Sequence, residues 1–220
     1  MNSAVTTALS HPASSSPAAR VPVVLVLCAL LLACGGGGGD DPPAGPDGVI
    51  GTTPTTVSGS SGATGGGTGP VALDASTSCG LPEFRIDLLR QINAARSVAR
   101  TCGSAAMAAA APLTWNDRLF SAAARHSRDM ATRNYFSHIG LDGRNPAQRV
   151  ADEGYAWSWV GENIAAGQPA VSPVMSSWLA SPGHCANIMR PEFQEVGVSC
   201  VQQAGSTYGR YWTMALGRPQ

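Results

Sequence analysis

A long stretch rich in Gly, Ser, Thr and Pro, from Gly35 to about Ser78, limits how much of this chain can fold. Such a composition buries too little apolar surface to offset the entropy lost on ordering, so we expect a disordered tether. If its 44 or so residues are flexible, they span a root-mean-square distance of about 35 to 40 Å. The remainder, about residues 79–220, is one domain's worth of sequence and is long enough to bury a core.

The segment before the tether predicts export. Val21 to Ala33 is almost wholly apolar, and Arg20 is the single charged residue before Cys34. This apolar run is too short to span a membrane and is typical of the core of a signal peptide, which we assign to residues 1–33. The last four residues of this region, Leu-Leu-Ala-Cys, resemble a bacterial lipobox, in which Cys34 becomes the acylated first residue of the mature protein. The alternative is an ordinary secretory signal that is cut nearby.

Acylation of Cys34 predicts that the membrane is the first partner of this chain. Each buried methylene contributes about 0.8 kcal/mol, so several acyl chains would hold the protein on a bilayer. Gly35 stands where an acidic residue would resemble an inner-membrane retention signal, so an outer-membrane lipoprotein is favoured. The tether and lipid site then occupy residues 34–78, and the folded domain, which we expect to be monomeric, occupies residues 79–220. The charge is balanced, with 14 basic and 14 acidic residues, and no basic stripe indicates nucleic acid.

The cysteines predict two disulfides. Of six cysteines, one lies in the signal and Cys34 is the lipid site, and an even remainder in an exported protein is typical of a disulfide framework. Three pairings are possible, and we favour the two that join sequence neighbours, each of which would stabilise the domain by about 3 kcal/mol. A catalytic cysteine is a weaker alternative, and a four-cysteine zinc site is disfavoured because no Cys-x-x-Cys occurs. The expected pairs are Cys79 with Cys102 and Cys185 with Cys200.

Apolar spacing predicts an α+β domain with helices before and between strands. The second helix carries the strongest signal: Asn116 is a suitable N-cap, and Leu119, Ala123, His126 and Met130 lie on one face. The expected helices are 82–99, 116–133, 146–153 and 173–180, and the expected strands are 155–159, 195–203 and 208–216.

Residues with catalytic or ligating side chains concentrate between Phe136 and Ile188. His138 follows Phe-Ser, Glu162 lies between Gly and Asn, and His184 follows Ser-Pro-Gly, so each lies beside turn-forming residues. Loops from separate parts of a fold often meet in one cavity, and two imidazoles with a carboxylate are suited to metal or acid/base chemistry. The alternative is a buried hydrogen-bond network that fixes the loops.

Three ordered motifs, Phe-Ser-His, Gly-Glu-Asn-Ile-Ala and Trp-Leu-Ala-Ser-Pro-Gly-His-Cys-Ala-Asn-Ile-Met, resemble the bacterial branch of the CAP superfamily, the cysteine-rich secretory, antigen 5 and pathogenesis-related 1 proteins. The resemblance covers about residues 81–216. It implies a three-layer α-β-α sandwich with a cleft that holds His138, Glu162 and His184.

The resemblance also implies a second acidic residue, which this chain lacks at the expected place. The segment after Trp178 reads Leu-Ala-Ser, without a carboxylate. Glu195, in a motif of the bacterial branch, is a candidate replacement, and it is equally suited to a surface salt bridge. Asn93 and Arg96 match polar positions of the family's first helix and are interpreted as structural hydrogen-bond makers. His126 also has a family counterpart, and we favour a packed role over a ligand role.

A zinc ion is the cofactor that two histidines would suit, with His138 and His184 as ligands at about 2.0 to 2.1 Å. Glu162 would orient an imidazole or accept a proton from bound water. Because a third ligand and the His-Glu-x-x-His helix of metalloproteases are absent, any metal would be held weakly. No organic cofactor is expected.

The leading interpretation is a membrane-anchored binding or scaffolding module with a lipid, cell-wall or protein ligand. The first alternative is a metal-assisted hydrolase of peptides or wall polymer, with Glu162 as base. The second is a lipid- or sterol-binding protein with a groove lined by Tyr155, Trp157 and Trp159, although aromatic residues at that spacing are more often core. The resemblance indicates the fold more strongly than the activity.

Overall fold

A computed structural model describes residues 49–51 and 69–220. The predictions for the signal peptide, for Cys34 and for most of the tether therefore concern residues outside the described ranges. Within those ranges, no helix is both long enough and apolar enough to cross a bilayer. The strands are β1 (Val49–Gly51), β2 (Arg100–Cys102), β3 (Ala105–Met107), β4 (Thr114–Trp115), β5 (Trp157–Ala166), β6 (Glu195–Gln202) and β7 (Arg210–Pro219). The helices are α1 (Phe84–Arg96), α2 (Asp117–Arg133), α3 (Pro146–Asp152), α4 (Val171–Ala180) and α5 (Pro182–Met189).

A five-stranded sheet forms the middle layer, with strand order β1-β5-β7-β6-β4. Strands β5, β7 and β6 pair antiparallel, and β4 joins the edge parallel to β6. Helices α2 and α3 pack on one face, where Leu119 and Val150 share a core with Val160. Helices α1, α4 and α5 pack on the other, where the largest apolar cluster lies. The predicted three-layer α-β-α sandwich is confirmed.

Helix α2 forms where its pattern predicts. The Asn116 side chain accepts hydrogen bonds from the backbone amides of Arg118 and Leu119 and so caps the first turn. The helix ends at Arg133, and the next residue, Asn134, caps it in the left-handed region. Its first turn lies directly against β6 at Gly197, where a Cβ would be 2.0 Å from the Phe120 backbone nitrogen. The absence of a side chain at Gly197 thus sets how closely α2 approaches the sheet.

The polar residues of α1 make the structural hydrogen bonds that the sequence predicts. Asn93 exchanges two hydrogen bonds with the backbone of Leu113. The guanidinium of Arg96 is fully buried and donates to four backbone carbonyls in two distant segments. These contacts connect α1 to the chain before β4, to the end of α5 and to the chain between α5 and β6.

Several local predictions are incomplete. The expected strand 155–159 is the start of β5, which continues to Ala166, so Glu162 lies within a strand and not in a loop. Gly161 looks like a turn residue, but its lack of a side chain makes room for Phe193, whose ring would be 2.6 Å from a Cβ there. The segment around His184 forms the helix α5, with Pro182 in its first turn. Residues 100–107, for which no strand is expected from the sequence, form the β2–β3 hairpin.

The predicted disulfide pairing is wrong. Cys79 pairs with Cys200, 121 residues away, and Cys102 pairs with Cys185, 83 residues away. The segment that carries Cys79 lies parallel to the end of β6, with a backbone hydrogen bond of 2.9 Å from the Cys79 amide to the Cys200 carbonyl. The β2–β3 hairpin instead packs on α5. Tertiary packing therefore decided the pairing, and proximity in sequence was the wrong criterion.

Residues 69–78, which the sequence assigned to the tether, lie against the domain. Thr77 and Ser78 are buried, and the Ser199 hydroxyl donates to the Thr77 carbonyl. The amide of Val71 donates to the hydroxyl of Ser121 on α2. Residues before the expected boundary at Cys79 thus pack on the folded domain.

Candidate functional site

The carboxylate of Glu162 is the centre of a buried polar cluster on the α2/α3 face of the sheet. Its Oε1 lies 2.8 Å from Nδ1 of His138, and its Oε2 accepts a hydrogen bond of 2.7 Å from Nη2 of Arg149. Nε2 of His126 is 4.0 Å from Oε1. The Glu162 side chain is 3% exposed, so its contacts with the protein replace its hydration. We call these four side chains the Glu162 cluster.

Arg149 connects this cluster to the loop that carries His138. Besides Glu162, its guanidinium donates to the backbone carbonyls of His138 and Arg144, at 2.9 and 2.8 Å. The loop closes on itself through a hydrogen bond from the Gly140 amide to the Arg144 carbonyl. Arg149 is itself placed by the short helix α3, which begins with a capping box at Asn145. The ion pair therefore fixes loop 138–144 against the sheet.

His126 lies behind the carboxylate, on the inner face of α2, and is 2% exposed. Its Nε2 lies 2.9 Å from the backbone carbonyl of Ser137. A carbonyl can only accept, so Nε2 carries the proton in this arrangement. Burial lowers the pKa of His126, with the negative Glu162 opposing that effect, and the imidazole is therefore neutral near pH 7. The packed role favoured from the sequence is what the structure shows.

Glu162 stays ionised although it is buried. Burial by itself raises its pKa, but the positive charge of Arg149 and the hydrogen bond to His138 outweigh that effect and hold the pKa well below its usual range. A carboxylate with such a low pKa and with both oxygens engaged does not take up a proton near neutral pH. Its geometry suits the holding of a loop and the orientation of the His138 ring.

His184 approaches this region from the other face of the sheet. Glu162 and Asn163 are neighbours in β5 and point to opposite faces, and Asn163 donates to the backbone carbonyl of His184 at 3.0 Å. Asn187, one turn further along α5, donates to the backbone carbonyl of Glu162 at 3.2 Å. The start of α5 thus lies against β5 beside Glu162, and the His184 side chain is buried there. A cavity shared by His138 and His184 stays a prediction.

Glu195 does not supply a further acid to the cluster. It lies at the start of β6, where Asn116 donates to its Oε1 at 3.1 Å and the Tyr155 hydroxyl donates to its Oε2 at 2.7 Å. These bonds connect β6 to the α2 cap and to the chain before β5. Burial, together with that carboxylate, raises the pKa of Tyr155, so the hydroxyl remains a donor. Both Glu195 oxygens are thus engaged in contacts between elements, and a catalytic role for this residue stays a prediction.

The aromatic residues considered for a lipid groove are distributed between core and surface. Tyr155 is buried in the core between α2, α3 and the sheet. Trp157 is half-buried against that same core, whereas Trp159 packs on the opposite one and lies under the Arg190 guanidinium. Since Trp157 and Trp159 contact different cores, the three rings do not line one groove.

The donor set does not fit a resident zinc centre. Nδ1 of His138 is engaged by Glu162, which leaves Nε2 for a ligand. Among residues 69–220, no group of three or more His, Cys, Asp or Glu side chains is placed to share a metal ion. A structural zinc needs four protein ligands and a catalytic zinc usually needs three. We therefore derive no chemistry through a metal.

The Glu162 cluster predicts that the domain loses stability in acid. His126 has a lowered pKa when folded, so below its ordinary value of 6.5 the unfolded chain binds more protons, and stability falls as the pH falls. Glu162 adds a second loss of the same sign below its ordinary value of 4.5. From pH 6.5 to 5.5 we expect a loss of up to about 1 kcal/mol through His126, measured by urea unfolding. His126→Gln should flatten that interval, and an unchanged slope in this variant would contradict the assignment.

Replacing Glu162 with glutamine is expected to destabilise the domain by about 2 kcal/mol, because Arg149 would lose its counter-charge in a buried setting. Glutamine keeps the shape and one acceptor oxygen, so the loss stays below that of a deletion. The matched control is Asp152→Asn, which breaks an ion pair to Arg144 that is about half exposed at 47% and 45%. That change should cost less than about 0.5 kcal/mol in the same denaturant titration. Equal losses would mean that burial of the Arg149 pair is unimportant.

Comparison with known proteins identifies relatives of this chain. The sequence pattern of the family described as "CAP: Cysteine-rich secretory protein family" matches residues 89–216, more than half of the chain. The uncharacterized protein YkwD of Bacillus subtilis is 34% identical over 102 residues, which are 46% of this chain and 38% of YkwD. The uncharacterized membrane protein YlbC of the same organism is 30% identical over 88 residues, 40% of this chain and 25% of YlbC.

A solved structure resembles the fold. An outer surface protein from Borrelia burgdorferi superposes with a TM-score of 0.54 at 15% identity, over 69% of this chain and 99% of that one. At this identity the likeness concerns the fold alone. The chain spans well under half of the two Bacillus relatives, so it shares one region with them.

Proposed function

Because this chain belongs to the cysteine-rich secretory protein family, we propose that it acts outside the cytoplasm as a membrane-anchored binding module, and not as a hydrolase that uses Glu162 as its base. The family and its sandwich fold define the domain. The anchor, the ligand and the absence of hydrolysis are the content of the proposal.

The observation that carries the proposal is the state of the Glu162 carboxylate. A general base needs an accessible lone pair and a pKa near the working pH. Glu162 instead is buried, has each oxygen in a contact of 2.7 or 2.8 Å, and has a strongly lowered pKa. These features favour a carboxylate that holds its neighbours in place.

What the cluster holds is a loop with an exposed tip. His138 is 12% exposed through its side chain, and two aliphatic residues that follow it, Ile139 and Leu141, are 48% and 59% exposed. Binding residues commonly lie on loops that a rigid scaffold positions. Loop 138–144 is accordingly our candidate recognition surface, with Glu162 and Arg149 as its support.

The sequence supports the anchor in this proposal. The apolar segment 21–33 and the lipobox at Cys34 lie outside the described residues, and they support the proposal of a bacterial lipoprotein with the domain exposed on the outer membrane. Replacing Cys34 with serine in the producing cell should move the protein from the membrane fraction to the soluble fraction and abolish incorporation of a palmitate analogue. Unchanged membrane association would remove the anchor from the proposal.

The decisive test separates binding from hydrolysis. The full chain with Cys34→Ser would be incubated with isolated cell envelope and with fluorescently labelled casein, and both retention and released products would be measured. We expect saturable retention on the envelope, lowered at least about threefold by Leu141→Ser combined with His138→Ala, since hot-spot side chains contribute about 1 kcal/mol or more. Release of peptides or sugars by the wild type, and not by Glu162→Gln, would overturn the proposal.

A control variant is available in α1. Ile86 is as exposed as Leu141, at 62%, and lies on a different element. Ile86→Ser should leave retention unchanged, so an equal loss in this variant would indicate nonspecific adsorption.

A further inference from the structure

Strand β5 has a short edge that accepts another strand. Along one side β5 pairs with β7 over its whole length, from Trp157 to Ala166. Along the other side β1 pairs antiparallel over three residues, with Val49 opposite Gly161, Ile50 opposite Val160 and Gly51 opposite Trp159.

Side chains cover the rest of that edge. The backbone carbonyl of Glu162 accepts a hydrogen bond of 3.2 Å from Nδ2 of Asn187, and the carbonyl of Ile164 accepts one of 3.2 Å from Nε1 of Trp178. Backbone groups two residues apart point to the same side of a strand, so Val160 belongs to this series and faces the same edge. Ile50 lies opposite Val160. Side chains of the domain thus occupy two carbonyls in the second half of the edge, and a strand from the tether pairs with the first half.

The tether strand is held by few interactions. Seventeen residues, 52–68, separate Gly51 from Gly69, so Val49–Gly51 competes for the edge as part of the same chain. A ladder of three residues provides few hydrogen bonds, and one such bond contributes little net free energy. An occupant of this kind exchanges readily with a competing strand.

We propose that the β5 edge at Trp159–Gly161 is a strand-acceptor site for extended peptides, and that Val49–Gly51 is the chain's own occupant, which a second peptide displaces. Addition of a strand to an open sheet edge is a general mode of peptide recognition, in which backbone hydrogen bonds supply the affinity. An unpaired edge is otherwise an aggregation hazard, and the tether strand covers it. This surface lies on the edge of the sheet and does not include loop 138–144.

The first measurement is amide hydrogen exchange in the full mature chain. Ile50→Pro removes the backbone N–H opposite Val160 and disfavours pairing, whereas Val57→Pro makes the same change outside the paired segment. We expect the Val160 amide to exchange at least about threefold faster in Ile50→Pro than in the wild type, with Val57→Pro unchanged. Equal exchange in all three chains would overturn the proposal, as would an equal acceleration in both variants.

The second measurement is binding of a labelled synthetic peptide with the sequence of residues 46–54, followed by fluorescence anisotropy. We expect the Ile50→Pro chain to bind it at least about threefold more tightly than the wild type, because the resident strand no longer competes. The same peptide with proline at the position of Ile50 should bind neither chain. Equal affinity for both chains, or no binding to the Ile50→Pro chain at millimolar peptide, would overturn the acceptor site, and neither outcome bears on the test of loop 138–144.

Discussion

Replacing Arg96 with methionine should lower the free energy of unfolding by about 4 kcal/mol or more, since buried acceptors left without a partner cost about 1 to 3 kcal/mol each. Its Nε donates to the carbonyl of Ala111 and its Nη1 to the carbonyl of Ile188, both at 2.6 Å. Further bonds reach the carbonyls of Arg190 and Phe193, at 3.0 and 3.2 Å. Methionine fills part of the space and satisfies none of these acceptors.

Burial lowers the pKa of Arg96 to about 10, so the guanidinium remains charged at neutral pH and its bonds are charge-assisted. Guanidinium chloride unfolding followed by tryptophan fluorescence measures the loss. The control is Arg100→Met, since Arg100 donates to the single carbonyl of Ala95 and should cost about 1 kcal/mol. A loss at Arg96 no greater than that at Arg100 would show that the four carbonyls find other donors.

Gly197→Ala should destabilise the domain by about 3 kcal/mol or more, at the upper end of overpacking effects. The added Cβ would lie 2.0 Å from the backbone nitrogen of Phe120 and 2.5 Å from the carbonyl carbon of Leu119. Backbone atoms cannot rotate away as the end of a flexible side chain can. The helix must therefore shift off β6, and His126, which lies beside Glu162, shifts with it.

Thermal unfolding by circular dichroism, with the Val160 and Ala215 methyl signals as a local probe, measures this effect. Gly69→Ala is the control, because an added Cβ there meets nothing within 4 Å. We expect a change within about 0.5 kcal/mol for the control. If Gly197→Ala unfolded at the wild-type temperature, the close approach of α2 to β6 would contribute nothing to the free energy of unfolding.

The layers could be predicted because their signals are local. The Asn116 cap and the apolar face of α2 follow from rules that act within a few turns, and the structure confirms both. The helix α5 was missed because Ser-Pro-Gly is a typical turn sequence, although Pro at the first helical position is also a helix start. The ambiguity is resolved by packing of Ile188 in the core, which no local pattern reports.

The Glu162 cluster could be predicted in part. Motif order identified Glu162 and His138, and the helical period of α2 placed His126 inward. Successive side chains in a strand point to opposite faces of the sheet, and this alternation turns Glu162 towards α2. The strand itself was not predicted at Glu162, because Gly161 indicated a turn. Arg149 had no sequence signal beyond its place on a short capped helix. The one general indication is that a buried carboxylate needs a positively charged partner, and Arg149 is that partner of Glu162.

The two disulfides are nested, since the bridge between Cys102 and Cys185 lies within the segment closed by Cys79 and Cys200. A chain that crosses a membrane from its N-terminus presents Cys79 and Cys102 long before their partners. An oxidant that joins cysteines in order of arrival would therefore make the local bridges first. The native pattern requires either that both early thiols wait for the last third of the chain or that a thiol catalyst reshuffles them. The order in which the cysteines cross the membrane therefore matters as well as the stability of the native disulfides. A cell that produces this protein needs either slow oxidation of the early thiols or a catalyst of disulfide exchange.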